Sequence, residues 1–150
     1  MPGRKILIVD YDAPSRAALA ALFQPRGLEI LTASDGLAAY EIFAIEHPDI
    51  VLLEAILPRL HGFDLAKRIL ADTKGAVPVV IVTGLYRGPQ YRHEALTSIG
   101  AADYFEKPYD AARLVRTVLD LLKERAAPGV DLPRPEAVIG RLAERLKSES

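Results

Sequence analysis

Cysteine is absent from the 150-residue chain, which excludes disulfides and thiolate metal centres and is compatible with a reducing compartment. Basic runs are absent too. With a formal net charge of -1, no sequence-independent affinity for nucleic acid or for an anionic membrane is expected. Apolar runs such as Val77 to Val82 fall far short of the ~20 residues that a membrane-spanning helix needs. Met1 to Lys5 leads directly into a strand-like segment too short for the apolar region of a signal peptide. No stretch is of low complexity. The 50% apolar and 26% charged residues describe a folded chain with one core and a short appendage. A soluble, cytoplasmic protein is expected.

What is present is an alternation. Five short runs, rich in β-branched residues or leucine, are Ile6–Val9, Leu28–Thr32, Ile50–Leu53, Val77–Val82 and Ala102–Phe105. Four of them lack a polar alternation, as strands covered on both faces do. The fifth is assigned mainly from its place in the series. Between them lie helical stretches. Asp12 before Pro14 reads as an N-cap with proline in the first turn. Leu19, Leu22 and Phe23 follow on one face, and Pro25-Arg26-Gly27 is a stop. Ser34 or Asp35 caps a second helix whose core candidates are Leu37, Tyr40, Ile42 and Phe43, ended by His47-Pro48. Gly62 leads into a third over Phe63–Leu70. Gln90–Ile99 is the fourth, closed by Gly100, and Asp110 caps a fifth carrying Leu114, Val115, Val118, Leu121 and Leu122 at helical spacing.

A (βα)5 alternation specifies an α/β, doubly wound, three-layer sandwich, because each parallel crossover places a helix on a face of the sheet. Residues 4–125 make this domain. Ala126 to Pro135, with three prolines and one glycine, reads as a linker. Residues 136–148 return to helical periodicity, with Val138, Ile139, Leu142 and Leu146 on one stripe. That stripe suits a dimer or partner helix, or a helix folded back on its own domain.

Binding sites in such folds lie beyond the carboxyl ends of the strands. Four polar residues stand there: Asp10, Glu54, Thr83 and Lys107. A carboxylate following a buried strand is costly unless it is paired or faces a site. One alone would read as a helix cap or surface acid. Four together read as one site.

Those segments resemble the receiver (CheY-like) domains of two-component response regulators. Ile-Leu-Ile-Val-Asp10 is similar to the family's first strand and acidic turn. Pro48 to Pro58, continued through His61-Gly62-Phe63, is similar to the segment around its phosphoacceptor. Val79 to Gly84 resembles the fourth strand and its hydroxyl residue, and Gly100 to Pro108 the switch aromatic, lysine and proline. The resemblance covers about residues 4 to 124 and implies a flavodoxin-like parallel sheet of order 2-1-3-4-5, here with an extra C-terminal helix. It also implies roles. Two acids near the first strand and the acceptor aspartate bind Mg²⁺, joined by the backbone carbonyl of Ile56. Thr83 and Lys107, followed by Pro108, hold phosphoryl oxygens, and Tyr104 turns inward when they do.

Two departures stand out. Glu54 occupies the acceptor position and Tyr11 the second acidic position, while Asp12 lies one residue late, suited to capping unless the frame shifts. Mg²⁺ takes near-octahedral oxygen ligands at ~2.0–2.1 Å, so losing one carboxylate and lengthening another degrades the site. Three crowded carboxylates need a cation, since unit charges ~4 Å apart repel by roughly 4 kcal/mol at an effective dielectric of 20. With Asp10 and Glu54 alone, Lys107 balances much of the charge. The expectation is a pseudo-receiver without metal, cofactor or catalytic residues, signalling by protein–protein contact. Glu54 either mimics a phosphoryl group and holds an active-like state, or leaves the switch idle.

A histidine kinase, an output protein or a second copy of the chain are the expected partners. The candidate surface is Tyr86, Arg87, Tyr91 and Arg92, in a loop slightly longer than the family's, together with Tyr109. Arg134, Arg141, Arg145 and Lys147 are offset by Asp131, Glu136, Glu144 and Glu149, so the tail is no DNA-binding element. His47, His61 and His93 are scattered and receive no metal or catalytic role. An alternative keeps phosphoryl transfer, with Asp10 or Asp12 as surrogate acceptor and Mg²⁺ bound. A flavin or nucleotide site would need a Gly- or Ser/Thr-rich phosphate loop, where this chain has Asp10-Tyr11-Asp12. If the alignment of the acidic turn holds, the double variant Tyr11→Asp, Glu54→Asp gains Mg²⁺ binding in a metal titration. An unchanged titration would show the frame to be wrong.

Overall fold

The computed structural model describes residues 3–124; the expected linker at 126–135 and the expected helix at 136–148 lie outside them. Five strands, β1 (Lys5–Val9), β2 (Glu29–Ala33), β3 (Ile50–Leu53), β4 (Val79–Thr83) and β5 (Asp103–Glu106), form one parallel sheet in the order β2-β1-β3-β4-β5. The helices are α1 (Ala13–Phe23), α2 (Gly36–Glu46), α3 (Gly62–Thr73), α4 (Pro89–His93) and α5 (Ala111–Glu124). The chain continues from α4 into a π-helical stretch, Glu94–Ile99, so the expected fourth helix is present but changes its winding midway. Element ends shift by one or two residues, except that α3 runs on to Thr73.

The unbroken apolar runs are explained by two cores. Ile6, Ile8, Ile50, Leu52, Val80 and Val82 face α1 and α5, whose Leu19, Phe23, Leu114 and Val118 cover them. Their neighbours Leu7, Val9, Val51, Leu53, Val79 and Ile81 face the opposite way, onto Ala39, Phe43, Leu65, Ile69 and Ala95. Alternate side chains point to opposite faces of a strand, so covering both faces demands apolar residues throughout. Each fully buried Leu, Ile or Phe contributes about 1.5–3 kcal/mol. Leu37 corrects the expected core of α2: it is 36% exposed, and Ala39 and Phe43 are the residues that face inward. Tyr40 and Ile42 pack only partly against that core.

The caps match the sequence. Asp12 accepts the Ser15 N–H at 3.0 Å, Asp35 the Ala38 N–H at 2.8 Å, and Asp110 the Arg113 N–H at 3.1 Å. After Gln24–Arg26, a 3₁₀ turn, Gly27 takes the left-handed conformation that ends the segment (φ 77°).

Gly62 brings α3 against the end of β3. Its N–H reaches the Ala55 carbonyl at 2.9 Å, and a Cβ there would lie 2.1 Å from the Glu54 carbonyl oxygen. Gly62→Ala is therefore expected to lower the unfolding free energy by about 1–3 kcal/mol, the usual cost of overpacking. Urea melts check this, and an unaffected midpoint would contradict it.

Candidate functional site

The sheet delivers Asp10, Glu54, Thr83 and Lys107 to one rim. The Asp10 N–H binds the Ala33 carbonyl (3.1 Å), the Glu54 N–H the Val9 carbonyl (3.0 Å), and the Lys107 N–H the Thr83 carbonyl (2.8 Å). Parallel hydrogen bonding thus sets the relative heights of these side chains before they make any contact of their own.

Asp10 is fully buried and well supplied with donors. Its carboxylate accepts the Asp12 N–H (2.9 Å), the Ser15 hydroxyl (2.6 Å) and the Lys107 ammonium (2.8 Å), while its carbonyl accepts from Arg16 Nη1 (2.7 Å). The Lys107–Asp10 ion pair has side chains 22% and 1% exposed. A buried carboxylate with a full donor set is affordable where a bare one is not. Lys107 thus makes its direct contact with Asp10.

Glu54, 1% exposed, folds its longer side chain back over the strand ends. Oε1 accepts the Gly84 N–H and Oε2 the Ala55 N–H, each at 3.2 Å. Burial pushes its pKa up. The Lys107 charge, the Gly84 N–H and the Thr83 hydroxyl pull the other way, and Asp10 adds to the rise.

Thr83 is fully buried, and its Oγ1 accepts the N–H groups of Leu85 and Tyr86, both at 3.2 Å. Tyr104 on β5 is 2% exposed and donates its hydroxyl to the Tyr86 carbonyl. Burial raises its pKa far above the usual phenol value, with Glu106 and Glu54 adding to the rise. The Tyr104 side chain therefore lies inward.

The remaining expected residues are placed as follows. Tyr11 is 44% exposed and lines an apolar cleft of about 400 Å³ with Ile56, Leu57, Pro58 and Leu85. Asp12 is exposed and engaged as the α1 cap, outside the pocket. Among the described residues, no group of three or more His, Asp or Glu comes together as a metal site requires. Pro108 is exposed and follows Lys107 through a cis peptide. Arg87 and Arg92 are exposed; Arg87 donates to the Lys107 carbonyl, and Arg92 donates to the Tyr104 carbonyl (2.7 Å) and pairs with Asp103 (3.6 Å). Tyr109 is half-buried, and burial raises its pKa. Tyr86 and Tyr91 are half-buried in an aromatic cluster with His61 and Phe63. No helix among the described residues is long and apolar enough to cross a membrane.

Sequence reasoning missed the backbone donors of Ala55 and Gly84, which no residue type signals, since nearly every residue carries an N–H. It also missed Ser15 and His61. Ser15, three residues after a capping Asp, was legible as part of the first helical turn, though not as a partner of Asp10.

The response regulator receiver domain family matches residues 6–119. The chain is 33% identical over 143 residues to the phosphate regulon transcriptional regulatory protein PhoB of Pseudomonas aeruginosa, covering 95% of this chain and 61% of that protein. It is 34% identical over 152 residues to the response regulator PleD of Caulobacter vibrioides, covering 95% of this chain and 32% of that protein. It thus spans a third to three-fifths of these relatives' length. Among solved structures, it is similar to the receiver domain of the Francisella response regulator 1452, with a TM-score of 0.73, 27% identity, and coverage of 81% of this chain and 98% of that one. A response regulator receiver domain from Clostridium thermocellum gives 0.72 and 27%, over 81% and 95%.

With a Glu54 pKa above the ~4.3 of an unfolded chain, the native state retains a proton that the unfolded state has released, so stability falls as pH rises through that interval. Glu54→Gln removes this titration. Its stability relative to the parent is expected to rise as pH increases above the ordinary glutamate range of about 4.3 in parallel denaturant melts; a difference that falls with pH would show the carboxylate to be favoured as the anion.

Proposed function

Since the chain belongs to the response regulator receiver domain family, we propose that it is a signalling module held in the switched arrangement by Glu54 and working through protein contacts, without phosphoryl transfer or Mg²⁺. One observation carries the reading. The Glu54 carboxylate takes the Gly84 N–H while Thr83 is tied to the following loop and Tyr104 is buried against the Tyr86 carbonyl. Once ionised, above its raised pKa, Glu54 brings a single charge on a longer arm, against about -1.5 to -2 for a phosphoryl group, and that charge lies where the Gly84 and Ala55 N–H groups can hold it. The donor set does not suit Mg²⁺: Asp10 is engaged by three donors, one of them Lys107, and Tyr11 gives the neighbouring position a phenol in an apolar cleft.

The geometry does not favour a surrogate acceptor. Asp10 is fully buried with its carboxylate held by three donors, and Asp12 caps α1. The partner is a signalling protein, either a histidine kinase or an output protein, that recognises the inward-Tyr104 state, and the domain acts in the cytoplasm. Incubation with acetyl phosphate and Mg²⁺ followed by intact-mass measurement tests this: the mass is expected to stay unchanged, and stoichiometric phosphorylation would overturn the proposal.

A further inference from the structure

We propose that Tyr86, clamped by His61, is a positioning residue that joins the loop after β3 to the loop after β4 and thereby keeps Tyr104 inward; this rests on the reading of Glu54 given above. Both backbone groups of Tyr86 are consumed by the switch. Its N–H goes to Thr83 Oγ1 (3.2 Å), and its carbonyl receives the Tyr104 hydroxyl. Any movement of Tyr86 therefore disturbs Thr83 and Tyr104 together.

The side chain supplies the hold. The Tyr86 ring stacks on Tyr91 with centroids 4.4 Å apart and meets the edge of Phe63 at 5.5 Å. Its hydroxyl lies 3.1 Å from His61 Nε2. His61 Nδ1 accepts the Phe63 N–H at 3.2 Å at the start of α3. In a neutral imidazole that acceptor carries no proton, so the proton resides on Nε2 and is donated to the Tyr86 hydroxyl. His61 is itself fixed relative to Glu54, because the adjoining Gly62 packs on the Glu54 and Ala55 carbonyls. A continuous chain of contacts then runs from the Glu54 backbone through Gly62, His61 and Tyr86 to Tyr104. Clamping both loops reinforces the 3.2 Å bond between Glu54 and the Gly84 N–H, the direct link between them.

Two substitutions separate the clamp from ordinary structural roles. His61→Asn retains a side-chain acceptor for the α3 cap and removes the Nε2 donor; Tyr86→Phe retains the ring stack and removes the hydroxyl. The full 150-residue chain, with tyrosine rings ¹³C-labelled, is followed by NMR for the Tyr104 ring resonance and by amide exchange at Leu85 and Tyr86. Each single change is expected to speed that exchange roughly two- to tenfold, as loss of one hydrogen bond does, and to move the Tyr104 resonance towards that of an exposed tyrosine. Exchange in α3 and the central strands should stay unchanged. The double variant should do no more than His61→Asn alone, which also removes the ring contact with Tyr86, because Tyr86→Phe then has no bond left to break. Unchanged exchange in both single variants, or additive effects in the double, would overturn the clamp while a buried parent Tyr104 leaves the reading of Glu54 standing. An exposed Tyr104 in the parent chain would remove both.

Discussion

A carboxylate buried at the rim of the sheet, with two backbone N–H groups for partners, is the constraint around which the site is arranged. Glu54 is 1% exposed, and desolvation of such a group must be met by donors within reach. The added methylene of glutamate lets the carboxylate fold back to Ala55 and across to Gly84. The crossing bond ties β3 to the loop after β4, and that loop carries the Tyr86 groups that engage Thr83 and Tyr104. Glu54 is thus linked through the loop after β4 to both Thr83 and Tyr104.

Charge explains why the neighbours look as they do. The rim holds two buried carboxylates and one ammonium, and the ammonium pairs directly with Asp10. Glu54 receives Lys107 only as a more distant field, and burial dominates, so its pKa rises. Tyr11 adds no third carboxylate to this rim. Tyr11 instead joins Ile56, Leu57, Pro58 and Leu85 around an apolar cleft.

Much of the fold was legible in the residues. Strands covered on both faces leave uninterrupted runs such as Ile50–Leu53, and Asp12, Asp35 and Asp110 mark helix starts through their capping bonds. Leu37 was misplaced because α2 is apolar nearly all round, so periodicity could not tell its inner face from its outer one. The winding change after His93 leaves no residue-type signal in Glu94–Ile99. At the site, residue types identified Asp10, Glu54, Thr83 and Lys107, but pairing depends on the direction of side chains. Hence the Lys107–Asp10 contact, the Gly84 donor and the His61–Tyr86 bond required coordinates.

The central claim is that the switch rests in its inward arrangement with no phosphoryl group present. A crystal structure of the unmodified chain, grown without phosphodonor or Mg²⁺, tests it most directly. The expected result is a buried Tyr104 with its hydroxyl on the Tyr86 carbonyl and Glu54 within hydrogen-bond distance of the Gly84 N–H. A solvent-exposed Tyr104, with Glu54 turned away from Gly84, would contradict it.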